Sequence, residues 1–217
     1  MKTALLIGAT GLVGSHLLDL LMKDTRFDKI KVFTRKPTGK IDLKLEEFVV
    51  DFDNIGDWAS HLSGDVLFSA LGTTIKKAGS KDAQYKTDFS YQLGVAEHAA
   101  QNGVGTYVLV SSAGADAGSI VFYSRMKGEL EAAIEKLSFQ RVRIMQPGIL
   151  DGERAESRPM EKLAIQVTRA VASIPGIRKF RPVHAEIVAK AMINACFDEQ
   201  AGTRKYTLEE VFTLAAG

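Results

Sequence analysis

Two textures alternate along this chain. Short, mostly apolar runs at Thr3–Ile7, Ile30–Phe33, Glu47–Val50, Val66–Leu71, Tyr107–Val110 and Val142–Met145 predict strands. They are nearly continuous rather than alternating with polar residues, as strands buried on both faces are. Between them, apolar residues recurring every three or four positions predict helices over Leu12–Met22, Asn54–Leu62, Asp82–Gln101 and Phe122–Leu137, and Gly72–Ser80 reads as a polar loop. Strands alternating with helices imply βαβ units, hence an α/β fold with a doubly wound parallel sheet and helices on both faces. The pattern changes where Pro147, Pro159, Pro175 and Pro182 break the last third into shorter pieces. Such a tail is expected to cover the C-terminal ends of the strands, where ligands bind in these folds. With no repeat or linker, the expectation is one domain over 1–217, with a cofactor fold to about 150 and a substrate-side tail over 151–217.

Composition narrows the field. The chain has 217 residues, 46% hydrophobic and 25% charged, which excludes disordered and fibrous classes. A lone cysteine, Cys196, excludes an internal disulfide and a Cys-rich zinc site. A net charge of +2 gives no push toward nucleic acid or a membrane surface. The apolar N-terminus is punctuated by Gly8, Gly11 and Gly14, carries His16 and Asp19, and lacks a clean small-residue cleavage site, so it does not read as a secretory leader. No apolar run reaches the length of a membrane-spanning helix. These readings predict a cytoplasmic protein with a small-molecule substrate and no nucleic-acid or membrane partner, and leave a protein partner or a homo-oligomer open.

The first predicted strand runs directly into Gly8-Ala9-Thr10-Gly11-Leu12-Val13-Gly14, which opens the first helix. Glycines at this junction let the backbone turn tightly and approach a pyrophosphate, whose charge the helix N-terminus favours, while the last one allows close packing of helix on sheet. A plain strand–helix turn would need glycine only for its dihedrals. At the end of the second strand, where NAD-binding folds place an acid for the ribose hydroxyls, stand Thr34, Arg35 and Lys36. Arg35, supported by Lys36, suits a 2′-phosphate, which favours NADP(H) over NAD(H); a solvated basic turn is the alternative.

Tyr123 and Lys127 lie four apart on a predicted helix and so share a face. The helix follows the fifth strand, which ends in Ser111 and Ser112. A tyrosine hydroxyl titrates near 10, too high for proton exchange at neutral pH, and a neighbouring ammonium favours the phenolate. Tyr123 as acid/base, Lys127 as its tuner and Ser112 as hydrogen-bond donor to the substrate oxygen form a coherent set, although an aromatic core residue with a snorkelling lysine would show the same spacing.

With these residues in place, the chain resembles the atypical short-chain dehydrogenase/reductases, specifically their Tat-interacting-protein-like subgroup. The resemblance runs through the glycine loop, LGTTIKKAGS (Leu71 to Ser80), SSAGAD (Ser111 to Asp116), YSRMKGELE (Tyr123 to Glu131) and QPGILDGERAESRP (Gln146 to Pro159). It implies a Rossmann-like domain with NADP(H) at the glycine loop. Gly8, Thr10, Gly11, Leu12 and Val13 would touch the pyrophosphate region, and Arg35 the adenosine phosphate. Ala70, Leu71 and Gly72 would line the adenine and ribose side, Lys127 would bind the nicotinamide ribose, and Pro147, Gly148, Ile149 and Leu150 would flank the nicotinamide. Gln146 departs from the Arg of many relatives. Either Ser111 or Ser112 can face the substrate, and related strand ends favour the second.

The expected function is NADP(H)-dependent reduction or oxidation of a small carbonyl or alcohol, with a non-catalytic NADP(H) sensor and an isomerase or epimerase of the same type as alternatives. His16, His61, His98 and His184 lack metal-ligand spacing, so no metal is expected. Lys76 and Lys77 lie in the loop after the fourth strand, where a solvated loop is favoured over a place near a substrate, and Arg178, Lys179 and Arg181 read as a wet basic surface. Glu153, Arg154, Glu156 and Arg158 read as an ion-pair network.

Overall fold

The computed structural model describes residues 1–151 and 182–217. The chain begins with β1 (Lys2–Ile7), α1 (Leu12–Lys23), β2 (Phe27–Thr34), β3 (Leu45–Val49) and β4 (Val66–Ser69). Two short helices, α2 (Ile75–Ala78) and α3 (Lys81–Tyr85), lead through a π-helical turn at Lys86–Ser90 into α4 (Tyr91–Gln101). β5 (Thr106–Val110), α5 (Phe122–Ile134), β6 (Arg141–Gln146) and β7 (Leu150–Asp151) follow. After residue 181 come β8 (Val183–His184), α6 (Ala185–Cys196), β9 (Gly202–Thr207) and α7 (Glu209–Ala216).

The main sheet is parallel throughout, in the order β3-β2-β1-β4-β5-β6-β9. It reverses direction of winding between β1 and β4, which opens a crevice at their C-terminal ends. Pleat alternation divides the core in two. Ala4, Leu6, Val32, Phe68 and Val108 pack beneath α1 and α6, while Leu5, Ile7, Phe33, Leu67 and Leu109 pack beneath α4 and α5. The near-continuous apolar strands are thus covered on both sides, as their sequence predicts.

Three segments depart from the sequence expectation. Asn54–Leu62 is not an α-helix but two 3-10 turns, because the Asp51 carboxylate accepts the Asp53 N–H at 2.9 Å, Asn54 leaves helical geometry and the Trp58 indole donates to the Asp51 carbonyl at 2.9 Å. The expected loop Gly72–Ser80 contains α2, capped by Thr74 and ended by left-handed Gly79. The tail beyond residue 182 belongs to the cofactor fold itself: β9 extends the main sheet beside β6, and α6 packs on α1. Pro159 and Pro175, the basic cluster Arg178, Lys179 and Arg181, and the expected network of Glu153, Arg154, Glu156 and Arg158 lie outside the described residues.

Arg143 on β6 is fully buried and holds this C-terminal edge in place. Its guanidinium donates to the carbonyls of Val142 at 3.0 Å, Gly202 at 2.8 Å and Asp198 at 2.9 Å, and to that of Gln200.

Candidate cofactor cleft and its polar floor

The glycine loop sits at the switch point. Gly8 has a left-handed φ of 84°, and a Cβ there would come within 2.4 Å of the Ala70 backbone at the exit of β4. A Cβ on Gly14 would meet the Gly8 carbonyl oxygen at 2.0 Å. Only glycine allows these approaches, so the loop and the first turn of α1 are pressed onto Ala70 and Leu71 with no side chain between them. Gly11 precedes α1, and the turn is closed by its N–H on the Gly8 carbonyl at 2.9 Å. Neither an acidic residue nor a side-chain cap occupies the first turn of α1, which leaves its amides for an anion. Thr10 is exposed on the loop, Leu12 is half-buried and Val13 packs into the core below it.

Arg35 follows β2 and lines a cavity of about 710 Å³ together with Thr73, Lys76, Lys77, Lys86 and Tyr91. No carboxylate lines it among the described residues. Lys86 is bound to Asp53 at 2.6 Å, whereas Arg35 and Lys76 make no ion pair among the described residues. Two cations without an ion pair among the described residues, one after β2 and one on α2, thus line the same space. Lys36 does not line this cavity; it is exposed, and its carbonyl accepts the Thr34 hydroxyl at 2.9 Å. Lys76, read from sequence as a solvated loop residue, lies instead on the cavity wall. Its signal was available only in three dimensions, because α2 is too short to show periodicity.

At the other end of the cleft, Tyr123 stands in the first turn of α5, 40% exposed, and Lys127 lies one turn further in, 4% exposed. Lys127 makes no hydrogen bond or ion pair among the described residues. Burying an ammonium is costly unless something answers its charge and its protons. The two serines separate cleanly. Ser111 is buried and donates to Glu131, whereas the Ser112 hydroxyl has only a long 3.4 Å contact with the Ala113 carbonyl.

Glu131, 2% exposed, anchors a network that sequence reading missed. Besides Ser111 it accepts from the Gln146 amide nitrogen, which reaches its two carboxylate oxygens at 2.9 and 3.0 Å, and meets the Lys205 ammonium of β9 at 3.0 Å. Lys205 also reaches Glu135 at 3.0 Å, and these carboxylates outweigh burial to raise its pKa. The network ties α5, β5, β6 and β9 together beneath the cleft. Beyond β6, the Pro147 carbonyl accepts the Ala113 N–H at 2.9 Å, and the Ile149 carbonyl accepts the Val183 N–H at 2.9 Å, so the Pro147–Leu150 segment is pinned beside the serine loop. Leu150 pairs with Val183 in the small β7-β8 sheet. His184 stands 3.9 Å from Asp151, and His61 packs its ring on Phe48, away from the cleft.

Together with the strand order, these features define the class as a doubly wound fold of the dinucleotide-binding kind, with its glycine loop at the switch point. The NAD(P)H-binding family model matches residues 8–198, and the chain belongs to that family. The Aspergillus terreus protein fmp52-1, mitochondrial, is 35% identical over 223 residues, covering 99% of this chain and 95% of that protein. FMP52, mitochondrial, of Meyerozyma guilliermondii is 38% identical over 200 residues, covering 88% and 83%. Among solved structures, MoeE5 in complex with UDP-glucuronic acid and NAD aligns with a TM-score of 0.70 at 17% identity, covering 99% of this chain and 81% of that one, a likeness of fold. The names of the fungal relatives overturn the cytoplasmic expectation, since both are called mitochondrial.

Proposed function

We propose that this protein is an NADP(H)-dependent oxidoreductase that interconverts a small carbonyl compound and its alcohol. The observation that carries the reading is Lys127, a lysine only 4% exposed that makes no hydrogen bond or ion pair among the described residues, one turn along α5 from the exposed Tyr123. The cleft suits a dinucleotide, because the Gly8–Ala70 approach leaves backbone where a Cβ would block it and Lys127 needs polar partners that ribose hydroxyls supply. Bound NADP(H) would contribute the hydride. In this reading Lys127 binds the nicotinamide ribose beside Tyr123, whose hydroxyl gives a proton to the substrate oxygen in reduction and takes it back in oxidation. Ser112 donates a hydrogen bond to the same oxygen. Ser111 is assigned to the frame because its proton is engaged by Glu131. Arg35 and Lys76 take the 2′-phosphate between them, which supports NADP(H) over NAD(H).

The test is a panel of aldehydes and ketones followed by NADPH absorbance, with the wild type and Tyr123→Phe side by side and cofactor affinity measured by calorimetry. Turnover that falls by a factor of about 10²–10⁴ in the variant while NADPH still binds is the expected result. NADPH binding with silence across the panel would turn the reading to a cofactor-sensing protein, and equal affinity for NADPH and NADH would remove the role of Arg35.

A further inference from the structure

Lys76, the cation that shares the cavity with Arg35, rides on a helix that does not hold its own place. α2 has four residues, none of them buried, and its one large apolar side chain, Ile75, is 44% exposed. A helix this short has no stability of its own, because its first turn costs more order than its few hydrogen bonds return. With no buried face, packing does not place it either. Its position has to come from its ends. The far end is the left-handed Gly79, and the near end is Thr73, the residue before the cap Thr74.

Thr73 is gripped at both of its backbone polar groups by buried side chains. Asp88, 1% exposed, accepts the Thr73 N–H on Oδ1 at 2.6 Å, and the side-chain amide of Gln84, 4% exposed, donates to the Thr73 carbonyl at 3.3 Å. Both come from across the cavity. Gln84 belongs to α3 and Asp88 to the π-turn Lys86–Ser90, and their neighbours Ala83, Lys86 and Thr87 line the same space as Thr73 and Lys76. The π-turn, in which the Tyr91 N–H reaches back to the Lys86 carbonyl, adds one residue to a helical turn and so re-aims the side chains it carries.

The turn is itself tied to the sheet. The Gln92 side-chain amide donates to the Asp88 carbonyl at 2.6 Å and accepts the hydroxyl of Ser69, the last residue of β4, at 2.6 Å. A closed circuit therefore runs from β4 through Gln92 and Asp88 to Thr73, and back to β4 along the chain. Burying a carboxylate and two amides is costly and adds nothing to an apolar core. What a satisfied polar set returns is one fixed geometry. Here that geometry belongs to a single backbone unit, at the root of α2.

We propose that Asp88 and Gln84 are specificity-determining positioning residues: their grip on Thr73 sets where α2 stands, and so holds Lys76 on the wall where the 2′-phosphate is read. The proposal rests on the 2′-phosphate role given to Arg35 and Lys76, yet the grip can be measured with no cofactor present.

The experiment compares wild type, Gln84→Leu, Asp88→Ala and Asp88→Asn by amide hydrogen exchange of the cofactor-free protein. Affinities for NADPH and NADH are then measured for each, alone and combined with Lys76→Ala. The Ala78 and Gly79 amides, which close α2 on the Thr74 and Ile75 carbonyls, should exchange about tenfold faster in Gln84→Leu and Asp88→Ala, the loss expected of one buried hydrogen bond, with β4 and β5 unchanged. Asp88→Asn keeps an oxygen for the Thr73 N–H and should stay near wild type. The two disruptive variants should weaken NADPH about threefold, as Lys76→Ala does, leave NADH unmoved, and add nothing to Lys76→Ala. A merely structural role weakens both cofactors alike or adds to the loss from Lys76→Ala, and either result would overturn the proposal. Unaltered exchange across α2 would overturn it too. Should Asp88→Ala fail to fold, Gln84→Leu, which replaces an amide with an apolar group of similar size, carries the same comparison. If exchange quickens but the wild type binds NADPH and NADH alike, the grip on α2 stands, while the 2′-phosphate role and the selectivity drawn from it fall.

Discussion

Glu131 and Lys127 share one helix, α5, lie one turn apart and are almost equally hidden from solvent, yet their surroundings are opposite. Glu131 has a hydroxyl donor, a side-chain amide across both its oxygens and an ammonium. Lys127 has no direct partner among the described residues. A buried charge that is fully answered is a fastener, and one left unanswered is held for something that arrives later. The same contrast divides the rest of the molecule. Arg143 and Asp198 at the β9 edge are enclosed by partners, while Arg35 and Lys76 line the cavity with no ion pair among the described residues.

The contrast breaks hardest at Glu131. Glu131→Ala leaves the buried Ser111 hydroxyl and Gln146 amide without their acceptor, while Lys205 keeps Glu135, and at about 1–3 kcal/mol for each unpaired donor it should destabilise the fold by about 2–5 kcal/mol, read as a lowered denaturant midpoint. Glu131→Gln, which keeps an acceptor for Ser111, should recover part of that loss. A stability change under about 1 kcal/mol in the alanine variant would make the network a bystander.

Asp198 gives the next largest effect. The Tyr206 hydroxyl at 2.7 Å is the main cause that holds its pKa down to about 2, helped by the Gln200 N–H, Arg143 and Arg204. Its folded value is depressed, so its contribution is complete above the unfolded value near 4 and is lost as pH falls toward 2. That contribution is about 2 kcal/mol. Asp198→Asn should be less stable than wild type at pH 6 and should converge with it near pH 2; a gap that persists at pH 2 would contradict the linkage.

On the other side of the comparison, Lys127→Met should leave the thermal midpoint nearly unchanged, because an apolar side chain of similar length replaces an unbonded charge. The same variant should weaken NADPH binding roughly tenfold. A large loss of stability would move Lys127 into the frame. The smallest effects belong at the open cavity. Arg35→Ala should weaken NADPH about tenfold and leave NADH unaffected, and Lys76→Ala should do the same by about threefold. Weakening of both cofactors alike would show that neither residue reads the 2′-phosphate.

The strands of the sheet were legible because burial on both faces writes a plain signal: Thr3–Ile7 and Val142–Met145 fall inside β1 and β6. β9 was not legible. Its sequence, Gly202–Thr207, is polar and mostly exposed at the sheet edge, so neither apolar continuity nor alternation marks it. The π-turn was hidden inside a helical pattern that reads as continuous from Asp82 to Gln101, since one extra residue barely disturbs the spacing. The glycine loop and the Tyr123–Lys127 spacing were visible because their chemistry is local in sequence. Lys76 and Glu131 were not, because their meaning lies in partners far along the chain, Arg35 for the one, Ser111 and Lys205 for the other.

The Arg143 clamp bears on how this chain is made. Its acceptors beyond β6 are carbonyls of Asp198, Gln200 and Gly202, which leave the ribosome more than fifty residues after Arg143 itself. Until they arrive, a β6 docked on the sheet would bury a guanidinium with little to receive its protons, so the nascent sheet gains by waiting. A chain cut short before residue 198 is then not a smaller version of the protein but one that carries its own reason to stay open, and the last strand to be synthesised decides whether the earlier ones may close.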